Sequence, residues 1–388
     1  MKKQKIKFMA LGGGQRVGAS CYYIGLGNNH ILLDCGIGYT GGVRRNPVLN
    51  ALLGVSGLYS ISQLSEIYIS HAHLDHAGYL PEILHQLPNV KVYMTELTKS
   101  FLRYQYLDAN YQKYMNLKSS GAKYVLDALA KRCFSISYAQ KIPFKEYEVE
   151  FLRAGHIPGA MMVLLHFAGK NILYTGDYAV EESLLTGGCD WPQENIDLMI
   201  VCGLHAKHPR GGGGNIQNSM EAIKNEIQRK LLNDERIFCQ APQLSKGIEI
   251  LAMLNEFISK DVNIYIDDGI YNLICEMEKF NLQMLHRNNY RLTNNSNLYD
   301  RCIVLSAKKI PRFLAGFSYV KADYSLHDRF EDMVKFIKKI NPQQAVIVHS
   351  PGKNDWEFET VEQKLMFDSE CRTQFVFPDE QDLYSFFD

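Results

Sequence analysis

The sequence has 388 residues, of which 46% are hydrophobic and 22% are charged. A chain of this length and composition can bury a sizeable core, which excludes the disordered and fibrous classes and allows two domains or one domain with a large insertion. Its 42 basic residues are balanced by 42 acidic residues. The molecule as a whole therefore has no net attraction for nucleic acid or for an anionic membrane, and any site for a polyanion must be a local patch.

The cysteine pattern indicates a reducing compartment. The nine cysteines are odd in number and include no Cys-x-x-Cys pair, which argues against a disulfide framework and against a cysteine-only zinc cluster. The apolar stretch after the basic residues 1–7 is too short for a signal-peptide core, and no run reaches the roughly 20 apolar residues that cross a bilayer. A cytoplasmic protein without a membrane partner is expected.

In chain order, the first half is predicted to consist of short strands separated by glycine turns, with one helical layer. Strands are predicted over residues 6–11, 20–26, 30–33, 66–70, 147–153, 161–167, 170–175 and 198–202. A short helix is predicted over 79–86, and Leu and Tyr recur at helical spacing between 98 and 132. The Ala168-Gly169 pair is typical of a tight hairpin turn.

The pattern changes after the glycine run 211–214, which predicts a hinge, with a mobile phosphate-contacting loop as the alternative interpretation. Helices are predicted over 216–232, 246–259 and 329–340, and strands over 237–240, 263–266, 302–306 and 345–348. The simplest interpretation is an α/β protein in which residues 1–205 and 326–388 form one αββα sandwich. Residues 206–325 form an inserted α/β domain.

Four residues with metal-binding side chains follow the predicted strand 66–70 within six positions. His71 and His73 are two residues apart, so an extended backbone projects both imidazoles to the same side. Asp75 and His76 lie on the turn into the next helix and point elsewhere. One segment can therefore supply imidazoles to one metal ion and a carboxylate with an imidazole to another. The alternative, a solvated polar loop, is disfavoured by this density of histidines.

Three later residues follow strands in the same way. His156 lies in an Ala-Gly-His-Ile-Pro-Gly-Ala turn, Asp177 ends Tyr-Thr-Gly-Asp, and His349 ends an apolar strand, where a polar side chain must be bonded to something. A single histidine after a strand is more often an exposed or satisfied residue, so each is informative only together with the first cluster. Asp34, at the end of Ile-Leu-Leu-Asp, is placed to support the ligands from behind. A simple turn residue is its alternative interpretation.

At these residues the sequence resembles the metallo-β-lactamase superfamily and, more narrowly, the β-CASP nucleases. The stretches that carry the resemblance are Leu11–Cys21, Leu33–Gly36, Ile69–Gly78, Ala154–His156 and Leu173–Tyr178. The resemblance implies an αββα metallo-β-lactamase sandwich with an inserted β-CASP-like cap domain. Residues 206–325 resemble that cap more weakly and are shorter than in well-known members.

The resemblance also implies a ligand set for two zinc ions, with manganese as an alternative metal. His71, His73 and His156 would hold one ion. Asp75, His76 and His349 would hold the other, with Asp177 bridging the two. Asp75 and His327 would be the catalytic residues, His327 as the β-CASP histidine that assists the leaving group. A histidine that caps the start of a helix is the alternative interpretation of His327.

Several positions depart from the family pattern. Cys202 stands where the family has an acidic residue, so His327 is expected to lack the carboxylate that orients it. Lys246 replaces the usual arginine of the cap helix, and Ser306-Ala307-Lys308 replaces the usual Ser-Pro-Gly turn. These departures make nucleic acid cleavage less firmly implied than metal-dependent hydrolysis.

The inserted domain offers one local candidate for a nucleic-acid surface. Basic residues alternate there with aromatic ones, as in surfaces that follow a nucleic acid backbone and stack on its bases. These residues are Lys308, Lys309, Arg312, Phe313, Phe317, Tyr319 and Lys321. An ordinary amphipathic surface with buried aromatic side chains is the alternative.

The leading hypothesis is a zinc-dependent phosphodiesterase that cleaves RNA or single-stranded DNA with a hydroxide activated by two metal ions. The second hypothesis keeps the metals but replaces the polymer with a small ester, thioester or cyclic nucleotide. The third is a non-catalytic, metal-stabilised subunit of a larger complex. A homodimer and a larger complex are the assemblies considered.

Overall fold

The computed structural model describes residues 5–55, 57–108, 112–113, 119–207, 214–311, 314, 316–351 and 371–387. The chain forms two compact units. The first contains residues 1–180, 188–211 and 327–388, and the second contains residues 181–187 and 212–326. The sequence-based prediction places the inserted domain at 206–325, whereas the second unit comprises 181–187 and 212–326.

The first unit contains two seven-stranded sheets. One has the strand order Leu383–Phe386, Ile6–Gly12, Cys21–Leu26, Asn29–Leu33, Glu66–Tyr68, Lys91–Thr95 and Cys133–Ile136. Its strands pair antiparallel as far as Asn29–Leu33 and parallel from there to Cys133–Ile136. A separate two-stranded ribbon joins Gly38–Thr40 to Val43–Arg45.

The other sheet has the order Gln374–Val376, Gln344–Val348, Leu198–Cys202, Lys170–Tyr174, Met161–Phe167, Tyr147–Arg153 and Lys141–Pro143. Its first four strands are parallel and its last four form antiparallel pairs, with Lys170–Tyr174 shared by both parts. Because the carboxyl ends of parallel strands lie at one edge of a sheet, the loops after three of these strands are brought together.

An apolar core is formed by residues of both sheets. Alternate residues such as Ile24, Tyr68, Val149, Val163 and Ile200 are buried in it. A period of two in side-chain direction places these residues on one face of each strand. Full burial of each large apolar side chain is worth about 1.5–3 kcal/mol, so this core fixes the strand register and thereby the positions of the loops.

Helices of the first unit are Leu74–Ala77, Leu80–Gln86, Glu96–Leu107, Ser119–Arg132 and Phe330–Ile340, with short 3-10 turns at Leu49–Leu52 and Ile61–Gln63. Glu96–Leu107 begins where Thr95 Oγ1 accepts a hydrogen bond from the backbone N–H of Thr98, as an N-cap residue does. Phe330–Ile340 packs through Phe336 against the rings of Tyr178 and Trp191. Asn341, in a left-handed conformation, ends that helix.

The second unit is a parallel α/β domain. Its five strands have the order Asn289–Arg291, Asn263–Ile266, Cys302–Ser306, Ile237–Gln240 and Ser318–Lys321. Its helices are Ile216–Leu232, Ile248–Phe257 and Asp268–Glu278, and a π-helical turn, Gln243–Gly247, precedes the second of them. Parallel strands joined by helices are the arrangement that the alternating pattern predicted.

Several elements differ from the sequence-based prediction. Among the described residues, the helical layer between 98 and 132 is divided into separate helices that include Glu96–Leu107 and Ser119–Arg132, and the helix predicted to start at 246 is preceded by the π-helical turn. Helix Asp268–Glu278 and the C-terminal strands Gln374–Val376 and Leu383–Phe386 were not predicted. Both strands are short, and each pairs with a partner outside its own local segment: Leu383–Phe386 with Ile6–Gly12, and Gln374–Val376 with Gln344–Val348.

The predicted nucleic-acid surface of the second unit is partly wrong. Phe317 is 9% exposed, packs in a small core with Phe238, and lies 4.9 Å below the guanidinium of Arg236, so it cannot stack on a base. Tyr319 is exposed. Arg312 and Phe313, like glycines 211–213 of the predicted hinge, lie outside the described residues.

None of the helices in the described ranges is long and apolar enough to span a membrane.

Candidate metal centre

The candidate metal-binding side chains lie in segments that follow strand ends of the first unit. His71 and His73 follow strand Glu66–Tyr68, and Asp177 follows Lys170–Tyr174. In the second sheet, His156 follows strand Tyr147–Arg153 and His349 follows strand Gln344–Val348. Cys202 is the last residue of strand Leu198–Cys202. These segments converge because the strand order of both sheets places the ends of these strands in the same region.

Three imidazole nitrogens form the first donor group. His73 Nδ1 lies 3.0 Å from His71 Nε2 and 3.3 Å from His156 Nε2. These three nitrogens and an Asp177 carboxylate oxygen all lie within 4.8 Å of one another. His71 and His156 are completely buried, so their ring nitrogens cannot be satisfied by bulk water.

The hydrogen bonds around His71 determine which of its nitrogens is an acceptor. Ser70 Oγ donates to Asp34 Oδ2 at 2.7 Å, so its oxygen is left to accept from His71 Nδ1 at 3.0 Å. The Nε2 atom of His71 then carries a lone pair. This lone pair faces His73 Nδ1, and such close nitrogens repel each other unless a proton or a metal ion lies between them.

The second donor group contains Asp75, His76 and His349. Their donor atoms also lie within 4.8 Å of one another. Helix Leu74–Ala77 starts directly after His73 and carries Asp75 and His76, and the ring of His76 lies 4.3 Å from the ring of His71. The His349 Nδ1 atom lies 2.8 Å from Ser20 Oγ, and its Nε2 atom faces Asp75 Oδ2 at 3.7 Å.

The Asp177 carboxylate lies between the two donor groups. Its Oδ2 atom is 3.7 Å from His71 Nε2 and 3.9 Å from His156 Nε2, whereas its Oδ1 atom is 3.3 Å from His76 Nε2. One carboxylate oxygen therefore faces each group. Within the described residues, His76 Nε2 and Asp177 Oδ1 are buried and make no hydrogen bond of regular geometry.

Asp34 supports both groups from behind. Its Oδ1 accepts from the Ser70 backbone N–H at 2.6 Å, and its Oδ2 accepts from His76 Nδ1 at 2.6 Å and from Tyr174 Oη at 2.5 Å. With the Ser70 hydroxyl, this makes four donors for one fully buried carboxylate. The His76 bond leaves Nε2 directed at the centre, which is the arrangement that orients a metal-binding imidazole.

The pKa values of the histidines follow from burial and neighbouring charge. Burial and the neighbouring imidazole of His156 lower the pKa of His73 to about 4, and burial with His76 and His73 lowers the pKa of His71. Burial also acts to lower the pKa of His76, but the Asp177 and Asp34 carboxylates raise it well above its ordinary value. His71 and His73 are therefore neutral bases at neutral pH, as metal-binding imidazoles must be.

Burial acts to raise the pKa of Asp177, but His76, His349 and His327 hold it well below its ordinary value, so the carboxylate stays ionised. The neutral imidazoles of His71 and His73 and the ionised Asp177 carboxylate are ligands of the kind that a divalent transition metal such as zinc binds. The donor set thus fits a divalent metal ion, and the sequence-predicted positions 71, 73, 75, 76, 156, 177 and 349 all belong to it.

His327 also reaches this region, which corrects one expectation. Its Nδ1 atom lies 3.6 Å from Asp177 Oδ2, so a carboxylate is close to it although Cys202 replaces the acid of the family. Asp177, His327 and Cys202 Sγ form a third cluster within 4.8 Å. Burial raises the pKa of Cys202, so its side chain is a neutral thiol. The helix begins only at Phe330, with Arg329 as its N-cap residue, so His327 is not a capping residue.

Sequence reasoning missed the residues that orient these side chains. Ser20, Ser70 and Tyr174 each donate to or accept from a member of the two donor groups or Asp34. Ser70 and Tyr174 adjoin predicted site segments, so their position was a usable signal. Ser20 had none, because its partner His349 is 329 residues away.

Comparison with known proteins gives a consistent family assignment. Residues 8–211 match the sequence profile of a family described as "Anti-Pycsar protein Apyc1". The "Probable RNase MJ4" of Methanocaldococcus jannaschii is 26% identical over 352 residues, which cover 89% of this chain and 72% of that protein.

Two further relatives are longer than this chain. The "Transcription termination factor FttA" of Methanothermobacter thermautotrophicus is 27% identical over 68% of this chain and 42% of its own length. The "Cleavage and polyadenylation specificity factor 73" of Drosophila melanogaster is 27% identical over 67% of this chain and 37% of its own length. The chain thus spans less than half of these two proteins.

A solved structure has the same fold. The crystal structure of a protein of unknown function from Enterococcus faecalis V583 superposes with a TM-score of 0.67 at 15% sequence identity, and the match covers 98% of this chain and all of that one. Together with the relatives above, the resemblance to β-CASP metallo-β-lactamase proteins and the αββα sandwich with an inserted α/β domain are confirmed.

Proposed function

The chain belongs to the family described as Anti-Pycsar protein Apyc1. From this membership and the two donor groups around Asp177, we propose that the protein is a metal-dependent phosphodiesterase that cleaves RNA. Its relatives named RNase and cleavage factor support the choice of polymer. The single observation that carries the proposal is the Asp177 carboxylate, which directs one oxygen to each group.

In this proposal two zinc ions are held by this chain, with manganese as the alternative. His71, His73 and His156 would hold one, Asp75, His76 and His349 would hold the other, and Asp177 would offer one carboxylate oxygen to each. Two such ions would lower the pKa of a water molecule and stabilise the negative charge that develops on phosphoryl oxygens. Asp34 keeps His76 oriented, and Ser70 does the same for His71.

His327 is the proposed proton donor to the leaving oxygen. It is the imidazole beside Asp177 that belongs to neither donor group, with its Nδ1 atom 3.6 Å from Oδ2 of that carboxylate. Burial lowers the pKa of His327, although Asp177 partly opposes this. A neutral imidazole at this position acts as an acid only after it gains a proton, so the ionised Asp177 is what favours its charged form.

The test uses the zinc-loaded full chain with labelled single-stranded RNA, single-stranded DNA and bis-p-nitrophenyl phosphate. The double variant His71→Ala/His73→Ala should reduce RNA cleavage by at least about a thousandfold, because a single catalytic interaction is typically worth about 10²–10³ in rate. His166→Ala, a histidine of the same unit outside the centre, serves as the matched control and should cleave like wild type. RNA cleavage that survives both the double variant and a chelator would reject the proposal.

A second candidate function is hydrolysis of a small ester, thioester or cyclic nucleotide. The observation that favours it is Cys202, because a neutral thiol beside His327 replaces the acid seen in the polymer-cleaving family. Salt separates the two candidates. Cleavage of a polymer weakens steeply as salt rises, since bound counterions are released from its phosphates, whereas turnover of a small substrate changes little.

The proposal includes a cytoplasmic location. The protein would bind RNA as its substrate, either as a homodimer or as part of a larger complex. All nine cysteines are free thiols, seven of them buried, which suits a reducing compartment. Single-stranded DNA remains an alternative substrate, which the second arm of the assay examines directly.

A further inference from the structure

Three chain segments meet beside His349. The backbone N–H of His349 donates to the Gly13 carbonyl at 2.6 Å, and that of Ser350 lies 3.4 Å from the Gly14 carbonyl. The ammonium of Lys207 donates to Gln15 Oε1 and to the Pro351 carbonyl. The loop after the first strand, the chain after Leu198–Cys202 and the chain after Gln344–Val348 are therefore held together at this point.

Two buried side-chain atoms at this junction make no hydrogen bond to the described residues. Because Lys207 uses Gln15 Oε1, the amide nitrogen Nε2 of Gln15 is directed elsewhere, and it is buried without an acceptor. Ser350 is completely buried, and its Oγ atom makes no hydrogen bond to the described chain. Each such group costs about 1–3 kcal/mol when it stays unsatisfied, and in native structures it usually indicates a ligand or an ordered water.

The chemistry of these groups selects the ligand. Gln15 offers an amide N–H₂, Ser350 a hydroxyl and Lys207 an ammonium, so the site is rich in donors and positively charged. Glu380 approaches the loop near Gly14, but its Oε1 lies 3.7 Å from Nη1 of Arg45, which offsets its charge. Such a set suits a phosphate oxygen, which accepts several charge-assisted hydrogen bonds at once.

We propose that Gln15, Lys207 and Ser350 form a subsite that binds a phosphate of a polymeric substrate next to the phosphate that is cleaved. The inference rests on the proposed function. The subsite adjoins the proposed metal centre, because Ser350 directly follows His349, whose Nε2 atom faces Asp75 in the second donor group. A substrate with several phosphates gains from this subsite. A substrate with a single phosphate cannot occupy it and the metal centre together.

The kinetic test compares two substrates with the zinc-loaded full chain. One is a single-stranded RNA oligonucleotide, and the other is bis-p-nitrophenyl phosphate, which has one phosphate. For Ser350→Ala and Gln15→Met, the KM for the oligonucleotide should rise about tenfold, the size of one charge-assisted hydrogen bond, with kcat at saturating RNA within about twofold. The rise in KM for the single-phosphate substrate should be several times smaller. Lys141→Ala, which removes a cation from the far edge of the second sheet, is the matched control.

A binding test does not depend on turnover. The affinity for a non-hydrolysable single-stranded oligonucleotide is measured over a range of salt concentrations. Lys207→Gln should reduce the slope of log affinity against log salt by about 0.7, the value for one phosphate contact with a single strand, and Lys141→Ala should leave it unchanged. Equal KM increases for both substrates, or an unaltered salt slope in Lys207→Gln, would overturn the inference.

The two proposals can fail separately. A wild-type chain that cleaves neither substrate rejects the phosphodiesterase function, and the salt slope still decides whether the subsite exists. Inorganic phosphate distinguishes a polymer subsite from a site for the free ion. If millimolar phosphate inhibits oligonucleotide cleavage and Ser350→Ala weakens this inhibition about tenfold, the subsite is supported. If phosphate binds tightly but does not change the KM for the oligonucleotide, the subsite is contradicted.

Discussion

Two residues other than glycine hold a left-handed backbone conformation at the metal centre, Asp34 with φ 61° and His349 with φ 53°. Such conformations cost of order 1–3 kcal/mol and persist only where surrounding contacts enforce them. For Asp34 the contacts are its four hydrogen bonds, and for His349 they are the backbone bond to Gly13 and the bond to Ser20. These contacts thus offset the backbone strain and fix the orientation of each side chain.

Asp328 leads to a prediction about pH. Burial, the largest cause, and the nearby Asp332 carboxylate raise the pKa of Asp328 to about 8, although Oδ1 accepts a hydrogen bond from the Val180 N–H at 2.7 Å. Because this folded-state pKa exceeds the ordinary value of 3.8, the folded chain holds an extra proton between about pH 4 and pH 8. Stability is therefore lost as pH rises through this window.

Asp328→Asn should remove this loss, because the amide does not ionise and its oxygen still accepts from Val180. The stability of the variant relative to wild type should increase with pH from about 4 to about 8, by at most about 1.4 kcal/mol per pH unit, and then level off. Urea unfolding at several pH values measures it, with the exposed Asp127→Asn as control. A difference that is constant across the window would contradict the prediction.

At the scale of elements, the turn that carries Asp75 and His76 depends on Gly36. A Cβ atom on Gly36 would lie 1.7 Å from the Asp75 carbonyl oxygen and 2.7 Å from the His76 nitrogen, so the turn would have to move. Gly36→Ala should lower stability by about 3 kcal/mol, as overpacking does. It should also weaken zinc binding about 10- to 100-fold, the range seen when support for a ligand is lost.

Calorimetric titration of zinc measures the second effect, and thermal unfolding measures the first. Gly187→Ala is the matched control, because no atom lies within 4 Å of a Cβ at that position and its φ is not positive. Zinc affinity of Gly36→Ala equal to that of the control would show that the turn tolerates the added methyl group.

The elements that could be predicted are those whose signal is local. Tyr147–Arg153, Met161–Phe167, Leu198–Cys202 and Ile216–Leu232 have the bounds that periodicity predicted. The positive φ values of Ala168 and Gly169 fit the predicted hairpin turn. Strand Leu383–Phe386 could not be predicted, because its pairing with Ile6–Gly12 is an interaction between the two ends of the chain.

The same distinction applies to the site. His71, His73, Asp75 and His76 could be predicted as a group because they share one segment. The orientation of their rings could not, because it depends on side chains contributed by other strands, such as Tyr174. The burial of Phe317 could not be predicted either, because an aromatic residue between lysines gives the same sequence pattern whether it faces solvent or a core.

At the scale of the whole molecule, metal binding should stabilise the first unit selectively, because all described donors of the two groups belong to it. Zinc at about 100 times its dissociation constant adds about 2.7 kcal/mol. This should raise the Tm of the first unit by roughly 5 °C or more. Differential scanning calorimetry of the metal-free and zinc-loaded chain measures the shift.

The double variant His71→Ala/His73→Ala is the control and should lose most of the zinc-dependent shift. The transition of the second unit should stay in place, since no described residue of residues 181–187 and 214–326 belongs to either donor group. Equal displacement of both transitions by zinc, or no displacement of either, would contradict a metal centre confined to the first unit.

The position of His349 has a consequence for biosynthesis. It follows strand Gln344–Val348, which lies inside the second sheet between Leu198–Cys202 and Gln374–Val376. At a translation rate of about 5–20 residues per second, the ribosome makes His71 many seconds before this strand emerges. The nascent chain therefore carries an incomplete donor set until residue 349 has been made, and any step that needs both donor groups must wait until then.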